Sequence, residues 1–282
     1  LLTFLIFSSF TIEQKKDIIN TFILSSLVIS ILAISQYFLD FSHLFNYLKK
    51  YSINYSFGIK YTQIKRSFFP FITPNALAGF LILCIPFILE EKRFYLILFI
   101  ISLALVLTQS IGAFISLLLG LIIYFYLKNK KFSLKIIKTL FFISLVIIVV
   151  FFIRHNILIE SNTLLSFIRR LDYWKQTLSL IQKHPFIGWG LGNFDLISTR
   201  YSHNFLLQIL AETGIIGLTS FLCFIIICLR YTYLNIKNSS DNILYLKLIT
   251  ANIIFLIHNL IDFTFFLPEV SFFWWAILGM GI

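Results

Sequence analysis

The chain alternates long apolar runs with short charged turns. A helix needs about 20 apolar residues to cross the hydrocarbon of a bilayer. Residues 18–39 meet that length, after the charged stretch Glu13-Gln14-Lys15-Lys16-Asp17. Residues 75–89 predict a shorter span with Pro86 near its end, stopped by Glu90-Glu91-Lys92-Arg93. Residues 94–127 carry no charge. As one helix they would be about 50 Å long against a core of about 30 Å, so two helices are expected. The break is expected at Thr108-Gln109-Ser110-Ile111-Gly112, where small and polar residues gather. Further spans are expected over 136–153, 205–229, 248–266 and 270–282, with a polar turn over 230–247. The first run, Leu1 to Ile12, is too short to span and reads as the tail of a helix that begins upstream.

Two stretches depart from this pattern. Residues 40–74 mix Lys49, Lys50, Lys60, Lys65 and Arg66 with many aromatics, which suits a segment lying on the membrane surface. Residues 154–203 form a long polar loop.

Composition narrows the class. The chain is 59% hydrophobic and only 12% charged, where soluble domains carry roughly 25% charged residues. The expected fold is therefore all-α: a polytopic transmembrane bundle of about eight membrane segments, forming one membrane domain over 1–282. No internal repeat divides it. The net charge of +11 comes without a nucleic-acid-binding motif, so nucleic acid is not expected as a partner. Membrane lipids and anionic lipid-linked substrates are. Cys84, Cys223 and Cys228 sit inside apolar runs and read as small hydrophobes.

Sidedness follows from the basic residues. Lys15, Lys16, Lys92, Arg93, the five lysines from Lys128 to Lys138, Arg230, Lys237 and Lys247 all fall in short turns on one side, which marks the cytoplasm. The remaining basic residues lie in 40–74 and 154–203, on the other side, where a phosphate-bearing ligand would explain them.

The richest chemistry lies between Arg169 and Gly217. If the segment is helical, Arg170 and Trp174 share a face at i,i+4, with Arg169 beside them. An arginine fork suits phosphate oxygens, although Arg and Trp also anchor membrane surfaces. Gly188-Trp189-Gly190-Leu191-Gly192 lacks the preceding strand of a dinucleotide fold. It reads either as a tight turn after Pro185 or as a turn whose amides, Gly190 among them, face a ligand. His203-Asn204 stands where the loop re-enters the membrane, and a near-neutral imidazole can take a proton from a hydroxyl. Glu212, in an apolar run, is expected to be paired, with His203, with an arginine or across helices. His258 and Asp262 are i,i+4 on the penultimate span, as a site or as an inter-helix contact. The histidines are too scattered for a metal site, and no cofactor motif is present.

Four stretches resemble the O-antigen ligase and O-antigen polymerase family. They are Pro74-Asn75-Ala76-Leu77-Ala78-Gly79; Arg170 and Trp174 with Pro185, Gly188, Gly190 and Gly192; His203-Asn204 through Glu212, Gly214 and Gly217; and His258 to Phe263 with Pro268. The resemblance implies a glycosyltransferase-C-like membrane enzyme of the bacterial inner membrane, with 154–203 as a periplasmic active-site loop. It implies transfer of a glycan from undecaprenyl diphosphate to lipid A-core, with inversion and without metal. Polymerisation onto another repeat unit, with a glycan acceptor, is the alternative within the family, and lipid-linked glycan transport is the alternative outside it. Arg170 would contact the diphosphate, with Arg169 as helper, and His203 would activate the acceptor hydroxyl. Asn204, Glu212, Trp174, Gly190 and Asp262 would support substrate. The family often has Ser-Arg-Gly-Ala at the helix break, whereas Ser110-Ile111-Gly112-Ala113 stands here. Lys60, Lys65 or Arg66 would have to replace that arginine.

Overall fold

The computed structural model describes residues 2–39, 46, 65–129, 144–145, 148–149, 163–194 and 200–282. These form two compact units: Thr11–Asn162, and Leu1–Phe10 together with Thr163–Ile282. All regular structure among the described residues is helical. The expected span over 136–153 and the segment 40–64 lie almost wholly outside them.

The first unit contains α2 (Ile12–Phe38), α3 (Pro74–Ile88), α4 (Tyr95–Thr108) and α5 (Ile111–Asn129). Thr11 and Gln14 form a reciprocal capping box at the start of α2. That box satisfies two otherwise unpaired amide donors, so the charged stretch 13–17 is the first turn of the helix and not a loop before it. In α3, Thr73 caps Ala76 and Pro74 fills the first turn, where its missing N–H is harmless. Every α3 residue except Asn75 is buried. A helix apolar on all sides belongs in the middle of a bundle, and α2, α4 and α5 pack around it. The charge-free run 94–127 breaks as its length requires, with Gln109 left-handed at φ 51° between α4 and α5.

The second unit contains α1 (Leu2–Ser8), α6 (Thr163–Lys183), α7 (Phe205–Asn238), α8 (Asn242–His258) and α9 (Pro268–Met280). Phe4 of α1 meets Phe224 edge-on at 5.1 Å, and α1 lies against α9. Trp274, fully buried, stacks on Phe255 at 5.0 Å and meets Phe265 at 5.3 Å, which ties α9, α8 and the turn between them into one aromatic core.

Three expectations are corrected in this unit. The loop 154–203 contains the amphipathic helix α6. The polar turn 230–247 shrinks to 239–241, because nothing between Leu218 and Asn238 breaks a helix and α7 runs on, its cap amide at Ser239 bonding Asn235. The span 248–266 ends at His258, because Asn259 closes it. The Asn259 side-chain amide donates to the Phe255 carbonyl (2.9 Å), and its oxygen accepts from Thr264 Oγ1 (3.0 Å) and the Phe265 amide (2.6 Å). Asp262 therefore sits on a turn, not one helical turn beyond His258.

By length and composition α2, α5 and α7 can cross a membrane, and α3 and α8 are shorter apolar helices.

Candidate active site

Three segments of the second unit meet at one cluster. Helix α6 presents Arg170, Tyr173 and Trp174. The entry to α7 presents Tyr201 and His203. The turn after α8 presents Asp262 and Phe263.

Each segment is held by its own bonds. Asn204 caps α7, its side-chain oxygen accepting from Leu207 N at 3.1 Å. The Asn259 carbonyl accepts from Phe205 N at 3.0 Å, tying the start of α7 to the end of α8. Ser202 Oγ donates to the Asn204 carbonyl at 2.6 Å, and Ser202 N donates to Gln208 Oε1 at 3.2 Å. His203, between these anchors, takes a left-handed backbone at φ 55°, a conformation that persists only where its surroundings enforce it.

The His203 ring stacks on Tyr173 at 5.6 Å and meets Phe263 edge-on at 4.8 Å. Tyr201 stacks on the same Phe263 at 4.7 Å. Arg170 Nη2 lies 3.5 Å from Asp262 Oδ2, and the other Asp262 oxygen accepts from Phe263 N at 2.9 Å. Burial pushes the His203 imidazole down to about 4, with the Asp262 carboxylate acting upward and the Arg170 guanidinium downward. The imidazole is therefore neutral at pH 7. Three buried polar atoms here make no hydrogen bond: Arg170 Nε, Trp174 Nε1 and His203 Nδ1. Buried donors normally find a partner, so Arg170 Nε–H and Trp174 Nε1–H, which helical spacing places on one face, offer unmet donors to an anion.

The other singled-out residues are placed differently. Arg169 is exposed on α6, since consecutive helical residues point about 100° apart. Among the described residues Glu212 reaches neither His203 nor an arginine. Its carboxylate accepts from Gln208 Nε2 (3.2 Å) and the Gly192 amide (3.4 Å). The amides of the glycine turn bond within the protein: Gly188 N to the His184 carbonyl, Trp189 N to Ala211 and Gly190 N to Glu212. The turn is clamped onto α7 where Gly214 interrupts the helix at φ 66°.

In the other unit, buried Arg66 donates from Nε to the Thr108 carbonyl at 2.8 Å and from Nη2 to Asn75 Oδ1 at 3.0 Å. It thus lies at the helix break where Ile111 stands. Lys65 is exposed, and Lys60 is outside the described residues. Among the described residues no three His, Cys, Asp or Glu side chains gather as metal ligands. Sequence reasoning gave no role to Tyr173, Tyr201, Ser202 or Gln208, and named Phe263 only as the end of a stretch. Their signal is adjacency: each is within a few residues of Arg170, His203 or Asp262.

A model of the O-antigen ligase family matches residues 96–222. That region includes Arg170, His203 and the glycine turn. The chain is also 29% identical over 214 residues, 65% of its length, to the ComP-specific O-oligosaccharyltransferase of Acinetobacter baylyi. It spans 37% of the length of that relative. Over these residues the chain is similar to the O-antigen ligase family.

Proposed function

We propose that this chain is the active portion of a membrane glycosyltransferase that moves a glycan from undecaprenyl diphosphate to lipid A-core. The observation that carries the reading is the juxtaposition of a half-buried arginine, whose buried Nε–H is unmet, and a neutral histidine with an unbonded ring nitrogen. The acceptor hydroxyl attacks the anomeric carbon from the face opposite the diphosphate. The bond from that carbon to the diphosphate oxygen breaks, the configuration inverts, and the lipid diphosphate departs with the bonding pair. Arg170, assisted by the Trp174 indole N–H, meets the charge developing on the leaving oxygen. His203 takes the hydroxyl proton at its free nitrogen. An anion at Arg170 offsets the cation that lowers the imidazole, so donor binding raises the basicity of His203 as it is needed. No metal enters this scheme.

In this reading Asp262 and Asn204 position Arg170 and His203, Arg169 lies close enough along α6 to greet the donor before it seats, and Gly190 and Glu212 shape the turn beside it. In this reading the chain has about eight membrane segments, sits in the bacterial inner membrane and exposes 154–203 to the periplasm. The acceptor has a second reading, favoured by the relative whose name specifies oligosaccharide transfer for ComP: a protein hydroxyl in place of lipid A-core. A glycan repeat unit, as in polymerisation, would use the same two residues.

The test is glycan transfer in a host lacking its own ligase, scored by the ladder of extracted lipopolysaccharide. The full-length protein should restore the capped ladder, while Arg170→Ala and His203→Ala should lose it and still insert in the membrane. A His203→Ala protein that transfers at the normal rate sinks the assignment of the base. Glycan left on its carrier by the wild type removes lipid A-core as the acceptor.

A further inference from the structure

The turn between α6 and α7 has an apolar tip that the cluster at Arg170 does not use. Phe186, Ile187 and Leu191 are 68%, 73% and 78% exposed. Turns that face water carry polar residues, and contiguous exposed apolar surface marks a place that something covers.

Hydrogen bonds fix what the tip stands beside. Ile215 N donates to the Pro185 carbonyl at 2.9 Å, and Ile216 N donates to Phe186 at 3.4 Å. The tip is therefore held against the first residues of α7 beyond the Gly214 kink. Ile215 and Ile216 are themselves 43% and 59% exposed, and farther along α7 Ile226 and Ile227 are exposed again, beyond exposed Thr219, Ser220 and Cys223. The patch is continuous with the outer surface of a helix long and apolar enough to cross a membrane.

Length points the same way. The uncharged run from Ile215 to Leu229, closed by Arg230, is about 22 Å long at the helical rise, against a hydrocarbon core of about 30 Å. The turn adds apolar surface at the end where the run begins. Trp189, whose indole N–H donates to the Leu180 carbonyl at 2.9 Å, is a residue type enriched at membrane interfaces. Lys183 and His184 precede the tip with the polar groups that headgroups accept.

We propose that residues 185–191 form a wedge inserted into the acyl chains of the bilayer beside the entry of α7, which holds α6 at the membrane surface. The proposal rests on α7 crossing a membrane and not on the transfer reaction. The test uses the full chain in vesicles of phosphatidylcholine and phosphatidylglycerol. Exposed Cys223 is replaced by Ala, and a nitroxide is placed by Ile187→Cys or Leu191→Cys. Lys183→Cys is the headgroup-level reference and Ile227→Cys the lipid reference. Collision rates with oxygen and with a water-soluble nickel chelate are compared. The oxygen-to-nickel ratio at 187 and 191 is expected to match that at 227 and to exceed that at 183 several-fold. Ratios at 187 and 191 that match 183 while 227 reads as lipid overturn the wedge and make the tip a docking face for a macromolecular acceptor. Loss of transfer activity alone does not bear on it.

Discussion

The Arg170 guanidinium lies 3.5 Å from the buried Asp262 carboxylate, which joins the middle of α6 to the turn after α8. That pair gives the first prediction. Asp262→Asn keeps the shape and removes the charge that orients Arg170. A charged hydrogen-bond partner contributes about 1.5–3 kcal/mol, and the melting temperature of the purified protein should fall accordingly. On the proposed role of Arg170 in holding the donor, misplacing it should lower transfer by about 100-fold. Asp262 is 2% exposed behind Arg170, so the change should appear chiefly as a higher KM for the lipid-linked donor. An unchanged KM with a collapsed kcat would instead put Asp262 in the chemical step.

The depressed His203 sets a pH dependence. The folded imidazole titrates near 4, whereas an unfolded one titrates near 6.5. Between those values the unfolded chain holds more protons, so stability rises with pH in that window. The contribution is complete above about pH 6.5 and fades as the pH falls toward 4. Melting temperatures measured across that range should slope upward in the wild type, and the slope should flatten in His203→Ala. The acid limb of kcat/KM, which reports the free enzyme, should lie well below pH 6.5. A limb at the ordinary histidine value would remove His203 as the base.

How much of this was legible depends on the range of the interaction. The break between α4 and α5 is written in a charge-free run too long for one helix, with Gln109 and Ser110 at its middle. The interruption at Gly214 is signalled by glycine in an apolar run. That Arg170 and His203 are candidates is carried by residue type. What was not legible depends on contacts distant in sequence. Asn259 ends α8 by bonding Phe265, so the helical pairing of His258 with Asp262 never forms. Glu212 looks like a site carboxylate until Gln208 and Gly192 are seen to claim it. Arg66 becomes the cation at the helix break only once the chain folds back on Thr108.

Gly188 and Gly214 stand on the two sides of the close approach between the turn at 186–188 and the α7 backbone at 212–214, and both have positive φ. A Cβ on Gly214 would run into the Phe186 carbonyl, and one on Gly188 into the Glu212 backbone. Gly192 also has positive φ, but a Cβ there meets nothing within 4 Å. Gly192→Ala should therefore lose only the left-handed penalty of about 1–2 kcal/mol. Gly214→Ala and Gly188→Ala should each lose more, and their double variant should lose less than the sum because either Cβ already forces the same two segments apart. Thermal unfolding of the four proteins checks this. Equal losses at 192 and 214 would mean that the turn is not clamped to α7.

Glu212 is two hydrogen bonds from the residue that flanks His203. Its carboxylate accepts from Gln208 Nε2, and Gln208 Oε1 accepts from Ser202 N. Glu212→Gln retains one acceptor and should cost about 0.5–1.5 kcal/mol with transfer largely intact. Glu212→Ala frees the Gln208 amide to leave Ser202, which loosens the strained His203 backbone and lowers kcat with little change in KM. Gln208→Ala breaks the same relay one step nearer the histidine. If Glu212 acts only through that relay, the Gln208→Ala, Glu212→Ala double variant should have the kcat of Gln208→Ala alone. If Glu212 touches substrate, the two losses should multiply and KM should rise with Glu212→Ala. Steady-state kinetics on the three variants separate a positioning carboxylate from a binding one.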